Sequence, residues 1–215
     1  MTRGKLIVIE GIECAGKDTQ VSNLAKALEE RGRDVMVVRE PGGTAIGESL
    51  RAILKDPRHQ GVIAPLTSLF LVNAARLQLM REQIRPALDQ GRIVLSNRSY
   101  LSSLAYQGYA EGLSLKLIRQ ICTAALDDLL PDRIFLLDIT IEEMLRRMKN
   151  RPGAAADRYD SLDASFHQKV RDGYIQEAIL DPHLIKIIDG QQLEEKVTAD
   201  LIERIQPLLD QGDKA

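Results

Sequence analysis

The sequence has few cysteines and no large excess of charge of either sign. Its two cysteines, Cys14 and Cys122, supply neither a disulfide framework nor a metal-ligand spacing, so we expect reduced thiols and a cytoplasmic protein. The formal net charge of −2 provides no overall basic field that could hold a nucleic-acid polymer. Any anionic ligand must therefore be bound by cations placed locally.

Long hydrophobic runs are also missing. No stretch approaches the roughly 20 apolar residues of a membrane-spanning helix, and the apolar run that ends before Glu10 is too short for a signal peptide. We therefore expect no membrane partner. The composition, with 44% hydrophobic and 28% charged residues, is that of a globular protein, and a length of 215 residues suits a single domain spanning 1–215.

Short apolar runs alternate with long helical patterns along the chain. The runs are rich in Val, Ile and Leu without polar alternation, as in strands covered on both faces: 6–9, 35–38, 93–95, 134–137 and 184–188. Helical patterns cover 19–31, 46–54, 66–89, 114–129, 141–149, 162–179 and 193–209. This order predicts an α/β fold with a doubly wound, five-stranded parallel sheet and helices on both faces, of the P-loop nucleotide hydrolase type.

A phosphate-binding loop follows the first predicted strand. Residues 11–17 match G-x-x-x-x-G-K and precede a helix, which is the context that the motif requires. Its glycines let successive N–H groups face phosphate oxygens, and the helix N-terminus adds partial positive charge. The predicted nucleotide-binding residues are Gly11, Ile12, Glu13, Cys14, Ala15, Gly16, Lys17, Asp18 and Thr19.

One position departs from this motif. The residue after Lys17 is normally Ser or Thr, whose hydroxyl binds Mg²⁺, whereas here it is Asp18. Two interpretations stay open: the carboxylate of Asp18 contributes to a metal site, or it caps the start of the helix.

Two polar segments follow the second and third predicted strands. Residues 39–44 and 97–108 lie at strand carboxyl ends, where ligands bind in open α/β sheets. A phosphotransferase needs cations in such a cleft to hold two anionic substrates in line. The candidate cations are Arg39, Arg51, Arg76 and Arg98.

These motifs together resemble the thymidylate kinase family over nearly the whole chain. The resemblance rests on a P-loop opening with Glu-Gly, followed by Arg-Glu-Pro-Gly-Gly-Thr, Ala-Ala-Arg and Ala-Tyr-Gln-Gly. It implies transfer of a phosphoryl group from ATP to dTMP, with Mg²⁺, in dTTP synthesis. The implied substrate-binding residues are Glu13, Arg39, Glu40, Pro41, Arg51, Val72, Arg76, Asn97, Arg98, Ser102, Ser103, Tyr106 and Gln107.

The resemblance also implies a lid, at about residues 147–160. Because the P-loop contains no basic side chain besides Lys17, the compensating charge is expected from Arg146, Arg147, Lys149, Arg151 and Arg158. Arg151 is the preferred catalytic candidate beside Lys17 and Arg98. Arg146 and Arg147 have an alternative interpretation as exposed helix charges, which we favour for Arg147. The 190–192 loop is expected near adenine.

Two further departures from the family pattern affect the metal site and the recognition of the base. Asn97 stands where the family has Asp, so Asp18 and Asn97 are predicted to form a rearranged metal site together. Val72 stands where the family commonly has an aromatic residue on thymine, and Phe70 should point to another face of its helix. Selectivity should then rest on Arg76 and Gln107. Val72 motivates one alternative, a kinase for another nucleoside monophosphate. Asp18 and Asn97 motivate another, a nucleotide-binding protein with weak catalysis.

The oligomeric state is also predicted. The family is usually dimeric, and residues 66–80 are apolar on more than one helical face, so we expect a homodimer. Burial of the same face within the monomer is the alternative.

Overall fold

The computed structural model describes residues 3–150, 158–159 and 162–210. Its strands are β1 (Lys5–Glu10), β2 (Val35–Arg39), β3 (Ile93–Asn97), β4 (Arg133–Asp138) and β5 (Ile185–Asp189). They form one sheet in the order β2-β3-β1-β4-β5, and every neighbouring pair is parallel. The predicted five-stranded parallel α/β fold is thereby confirmed.

The helices occupy the segments between the strands. In chain order they are α1 (Lys17–Glu29), α2 (Ala45–Lys55), α3 (Pro65–Leu79), α4 (Arg85–Asp89), α5 (Tyr100–Ser103), α6 (Leu115–Ala125), α7 (Ile141–Lys149), α8 (Ala164–Leu180) and α9 (Glu194–Asp210). In the described part of the chain, none of them has the combination of length and hydrophobicity that crossing a membrane requires.

The burial pattern of the sheet explains why the strand runs lack alternation. Five consecutive residues of β1, from Leu6 to Glu10, are buried, which requires cover on both faces of the sheet. The edge strands β2 and β5 are partly exposed, at Val37 and Ile187. The charged residue Glu10 therefore lies in the core, at the carboxyl end of β1.

Two predicted helices were wrong at their C-terminal ends. The pattern over 66–89 is not one regular α-helix, because a π-helical turn over Met80–Ile84 separates α3 from α4. Pro86 follows this turn, and its missing N–H group and its ring disfavour regular i→i−4 bonding there. Helix α6 ends at Ala125 because Asp127 and Asp128 take left-handed backbone conformations, with φ of 53° and 63°.

A helical segment that we did not predict follows β3. Helix α5 runs directly into a π-helix over Leu104–Ala110, which packs against α8. The close approach depends on Gly173 of α8, where a Cβ atom would lie 2.7 Å from the ring of Tyr109. The π-helix in turn carries Tyr106 and Gln107, so this contact positions two predicted site residues.

We expect Gly173→Ala to destabilise the protein by about 1–3 kcal/mol through overpacking. The intrinsic preference of a helix for Ala over Gly, about 1 kcal/mol, acts in the opposite direction and is outweighed. Thermal unfolding should show a Tm lowered by several degrees. Gln176→Ala, at an exposed position of the same helix, is the control and should leave Tm nearly unchanged. A Tm raised by Gly173→Ala would contradict this account of the packing.

Candidate active site

One cleft lies at the carboxyl ends of the strands, between the phosphate loop and the segments that follow β2 and β3. Every predicted substrate-binding residue lines it: Glu13, Arg39, Glu40, Pro41, Arg51, Val72, Arg76, Asn97, Arg98, Ser102, Ser103, Tyr106 and Gln107. A neighbouring cavity is formed by Cys14, Gly16, Lys17, Asp18, Thr19 and Arg147. Lys17 and Asp18 line both spaces and so connect the phosphate loop to the larger cleft.

The phosphate loop requires glycine at both ends. Gly11 has a φ of 149°, and a Cβ atom there would lie 2.6 Å from the carbonyl oxygen of Leu137 on β4. Gly16 has a φ of 94° and is the N-cap residue of α1. Both backbone conformations are unfavourable for side-chain-bearing residues. The loop can therefore turn tightly between β1 and α1, with the N-terminus of α1 facing the cavity.

Lys17 is buried against the loop that precedes it. Its Nζ donates hydrogen bonds to the carbonyl oxygens of Gly11, at 3.0 Å, and Ile12, at 2.6 Å. Burial, together with the charge of Arg98, lowers the pKa of Lys17 to about 7, against the opposing effect of Glu13. An anionic ligand at this position would stabilise the ammonium form.

Arg147 is not an exposed helix charge, and the interpretation that we favoured for it was wrong. From α7 its guanidinium reaches the phosphate loop, donating to the Cys14 carbonyl at 3.3 Å and to the Gly190 carbonyl at 2.8 Å. Glu143, one turn earlier, accepts from its Nε at 2.6 Å and holds the side chain in this direction. Arg146 does remain exposed and pairs only with Glu143 among the described residues. Helical periodicity could not separate these two adjacent arginines.

The remaining lid cations have different positions. Arg151, the preferred lid candidate for catalysis, lies outside the described residues, as does most of the predicted lid. Arg158 is buried next to Tyr159 and not at the phosphate loop. Its Nη2 donates to the Tyr159 hydroxyl at 2.7 Å and the Ser68 hydroxyl at 3.3 Å, and its guanidinium lies 4.7 Å from the ring centroid of Tyr159. We call the end of the cleft formed by Glu40, Val72, Arg76, Gln107 and Tyr159 the acceptor end.

Asp18 and Asn97 are in direct contact. The Asn97 Nδ2 donates to Asp18 Oδ1 at 2.6 Å. The side chain of Asp18 does not cap α1, because the N-cap residue is Gly16 and no side-chain cap hydrogen bond is formed. The two departures from the family pattern thus meet at the junction of the phosphate loop and β3.

This pair is compatible with a magnesium ion. Asn97 Oδ1 is buried and has no hydrogen-bond partner among the described residues, so an unpaired oxygen lies beside a carboxylate. Magnesium is commonly held by one or two protein oxygens together with substrate phosphates and water. A larger cluster is not required, and the described residues contain no group of three or more His, Cys, Asp or Glu side chains suited to a metal.

Arg98 is held from its backbone and from its side chain. Its backbone has a φ of 76°, and its N–H donates to the Ile9 carbonyl at 3.0 Å. The guanidinium donates to Ser102, Tyr174, Glu13 and Tyr106, at 3.0–3.3 Å. The side chain is therefore fixed in direction before any ligand binds.

Glu10 organises the segment that carries Arg98. Its fully buried carboxylate accepts hydrogen bonds from the backbone N–H groups of Ser99 and Ser102, at 2.8 and 3.1 Å. The hydroxyls of Ser102 and Tyr174 donate to its other oxygen, at 2.7 and 2.9 Å. The carboxylate thus accepts from N–H groups at the start of α5, where that of Ser102 is shared with the Ser99 carbonyl at 3.2 Å.

Glu13 projects from the phosphate loop towards the acceptor half of the cleft. The Tyr106 hydroxyl lies 2.7 and 2.6 Å from its two carboxylate oxygens. Burial alone would raise the pKa of Glu13, but the adjacent His167 and the charges of Arg98 and Lys17 hold that pKa well below its ordinary value. His167 is buried 3.6 Å from the carboxylate, and neither of its ring nitrogens has a hydrogen-bond partner among the described residues.

A buried ion pair forms the acceptor end of the cleft. Arg76 Nε donates to Glu40 Oε2 at 2.6 Å, and its other nitrogens donate to Asn73 and Ser103. Burial raises the pKa of Glu40, and the charge of Arg76 opposes this shift. Because its guanidinium donates hydrogen bonds on several sides, Arg76 is held rigidly at the wall of the cleft.

The two other predicted arginines bridge the loop after β2. Arg51 Nη1 donates to the Pro41 carbonyl at 2.7 Å, and Arg39 Nη2 donates to Glu48 at 2.8 Å. Arg39 is more exposed than Arg51 and borders the entrance. Both side chains line the cleft, where their guanidinium groups can reach an anion.

Val72 faces the cleft, whereas Phe70 points away from it, as the helical spacing predicted. Val72 is 9% exposed and Phe70 is 54% exposed. Sequence reasoning missed several residues that the fold adds to this site: Glu10, Tyr159, His167 and Tyr174. Only Glu10 carried a sequence signal, as a charged residue at the end of an otherwise apolar strand.

The fold and the cleft together define a class of protein. A five-stranded parallel sheet, a phosphate loop before α1, and a second polar pocket beside it are the features of a P-loop nucleoside-monophosphate kinase. The model of the thymidylate kinase family matches residues 9–201. The chain therefore belongs to the thymidylate kinase family.

Individual relatives agree with this membership. The chain is 43% identical to the thymidylate kinase of Caldanaerobacter subterraneus subsp. tengcongensis over 190 residues, covering 88% of this chain and 89% of that protein. It is 40% identical to the thymidylate kinase of Deinococcus radiodurans over 201 residues, covering 94% and 96%. A crystal structure of thymidylate kinase from Ehrlichia chaffeensis superposes with a TM-score of 0.77 at 29% identity, covering 94% of this chain and 99% of that one.

The contact between Asp18 and Asn97 predicts non-additive effects on phosphoryl transfer. Asn97→Asp alone would place two carboxylates at hydrogen-bond distance, whereas Asp18→Thr with Asn97→Asp removes that repulsion. The double variant should therefore retain more activity than the single effects predict, by about 1 kcal/mol or more of coupling. Rates and the Mg²⁺ concentration for half-maximal rate give the double-mutant cycle.

A matched control is Asn23, whose amide also donates to a carboxylate, that of Glu194, but outside the cleft. Asn23→Asp should change neither the rate nor the Mg²⁺ dependence. Strict additivity of Asp18→Thr and Asn97→Asp would show that the two sites act independently despite their contact.

Proposed function

We propose that this chain phosphorylates dTMP to dTDP with ATP as donor, a step in dTTP synthesis. The observation that carries the proposal is the continuity of the cleft. The phosphate-loop residues Lys17 and Asp18 line the same space as Arg98 and the acceptor-side residues. The hydrogen bond from Asn97 to Asp18 joins the two halves directly.

The donor half supplies groups for a triphosphate. The N-terminus of α1 and the loop N–H groups face the cavity that Lys17 and Arg147 also line. Lys17 Nζ would exchange its bonds to the loop carbonyls for phosphate oxygens. Arg147 joins the loop to the 190–192 segment through Gly190, which supports our prediction that this segment lies near adenine.

The acceptor half supplies groups for a nucleoside monophosphate. We assign Arg39, Arg51 and Arg98, which line this half of the cleft, to its phosphate, and Arg76 and Gln107 to its base. A phosphate oxygen of dTMP attacks the γ-phosphorus of ATP, the bond to the β–γ bridging oxygen breaks, and ADP leaves. Catalysis of this kind depends on positioning and charge stabilisation. Side chains that are preorganised before the ligand binds, such as Arg98, provide both.

Asp18 and Asn97 are the residues proposed to hold Mg²⁺, through their carboxylate and amide oxygens. The ion, when bound, neutralises phosphate charge. The protein's own contribution at this point is to orient the two oxygens, since the Asn97 Nδ2 bond fixes the Asp18 carboxylate.

Purified protein should release ADP with dTMP as acceptor, in an assay that compares the common nucleoside monophosphates. Lys17→Ala should lower turnover at least a hundredfold, or about 2.7 kcal/mol of barrier, because Lys17 lines the cavity at the phosphate loop and would carry its positive charge to the phosphates. Lys26→Ala, at an exposed position on the same helix α1, is the control and should retain activity.

Each other outcome has a distinct meaning. Turnover of a different monophosphate in preference to dTMP would favour the alternative that Val72 motivates. ATP binding without phosphorylation of any monophosphate would favour a binding protein with weak catalysis. Near-normal turnover by a folded Lys17→Ala variant would exclude the role assigned to that lysine.

The chain is also proposed to act as a cytoplasmic homodimer. Exposed apolar side chains lie on the adjacent helices α2 and α3, at Ile46, Ile53, Leu66 and Phe70. Sedimentation equilibrium should give twice the chain mass of 24.0 kDa, and Phe70→Asp should shift the protein towards the monomer. A wild-type protein that stays monomeric at micromolar concentration would contradict the dimer.

The proposed cytoplasmic location agrees with the cysteines, because both are free thiols, which suits a reducing compartment. Cell fractionation tests this location.

A further inference from the structure

The acceptor end of the cleft contains two aromatic side chains within the described part of the chain, Tyr106 and Tyr159. The Tyr106 ring already has the Arg98 guanidinium 5.3 Å from its centroid, and its hydroxyl contacts Glu13. Tyr106 is thus committed to the side of the cleft near the phosphate loop. Tyr159, which belongs to no helix or strand, borders the remaining space. The Arg158 guanidinium lies 4.7 Å from its ring centroid, so a ligand would contact the part of the ring that faces the cleft.

Tyr159 is anchored to the wall of the cleft that carries Val72. Its hydroxyl lies 3.3 Å from the Ser68 hydroxyl on α3. Ser68 and Val72 are four residues apart and therefore lie one above the other on the same face of α3. The backbone N–H of the preceding residue, Arg158, donates to the Lys55 carbonyl of α2 at 3.3 Å. The tyrosine is consequently tied to both helices of that wall.

The orientation of the two tyrosines leaves a corner suited to a planar group. Their ring centroids are 5.4 Å apart and the rings are nearly perpendicular, at 86°. An edge-to-face pair of this kind is a favourable aromatic arrangement and holds the Tyr159 ring in a defined direction. Val72 contributes only an aliphatic surface to this corner.

The same anchor also connects Tyr159 to a polar group. Gln107 Nε2 donates to the fully buried Ser68 hydroxyl at 3.4 Å. A single serine therefore positions an aromatic ring and a carboxamide at one end of the cleft. A pyrimidine base presents an apolar face and a polar edge, and these two side chains complement both.

We propose that Tyr159 is a specificity-determining residue that provides the aromatic surface for the acceptor base, beside aliphatic Val72. The inference rests on the proposed function, since the base belongs to dTMP. No side chain of α3 that lines this cleft is aromatic. The aromatic contact with the base is therefore assigned to Tyr159, which lies outside the regular secondary structure. Tyr159 acts on binding of the base and has no direct role in phosphoryl transfer.

Calorimetry with dTMP and competition with 2-deoxyribose 5-phosphate, which lacks a base, test the proposal. Tyr159→Leu should weaken dTMP binding by about two- to tenfold, the range expected for one aromatic contact. It should leave inhibition by the base-free sugar phosphate and the KM for ATP unchanged. Tyr159→Phe, which keeps the ring, should lie close to wild type. Val72→Phe added to Tyr159→Leu should recover much of the loss.

Phe70→Leu is the matched control, because it removes an aromatic ring from α3 outside the cleft and should not affect dTMP binding. Equal dTMP affinity in wild type and Tyr159→Leu would overturn the proposal. So would an equal loss for dTMP and the base-free sugar phosphate, since this would mark a structural role. Should Tyr159→Leu lose its cooperative thermal transition, Tyr159→Met provides the same comparison. Wild-type protein that binds no dTMP would instead refute the proposed function itself.

Discussion

The buried carboxylate of Glu10 is the interaction on which the geometry of the cleft depends. It lies at the end of the central strand and accepts four hydrogen bonds, two from backbone N–H groups and two from hydroxyls. The hydroxyls of Ser102 and Tyr174 in turn accept from Arg98, so a continuous chain of hydrogen bonds runs from the core to the cleft. A buried carboxylate is tolerable only when it is fully paired, and here its pairing fixes an arginine that lines the cleft.

Charge within the cleft is compensated internally before any ligand binds. Arg76 pairs with Glu40 and Arg98 with Glu13, while Lys17 donates to carbonyl oxygens. Desolvated cations without such partners would be costly, so the protein holds them against groups of its own. Anionic substrates then need only replace part of these contacts, which limits the reorganisation that accompanies binding. A net charge of −2 is therefore compatible with a function that binds two phosphorylated ligands.

Most of the fold could be predicted from the sequence, because hydrophobic periodicity reports burial directly. The five strands and the helices between them were found at nearly their observed positions. The π-helical segments were not predicted, nor was the early end of α6. A π-turn before Pro86 and left-handed Asp127 and Asp128 are local backbone choices. Such choices respond to packing partners distant in sequence, and propensity alone does not reveal them.

At the site, the sequence by itself identified those candidate residues that belong to recognisable motifs. Strand order requires that segments at strand carboxyl ends share one cleft, so Lys17 and Arg98 were placed correctly. Tertiary structure alone decided which of two adjacent arginines reaches the phosphate loop, and it chose Arg147. It likewise brought His167 beside Glu13 and Tyr159 beside Val72's helix. These contacts depend on how helices and connections pack in three dimensions, and no spacing along a single segment encodes that geometry.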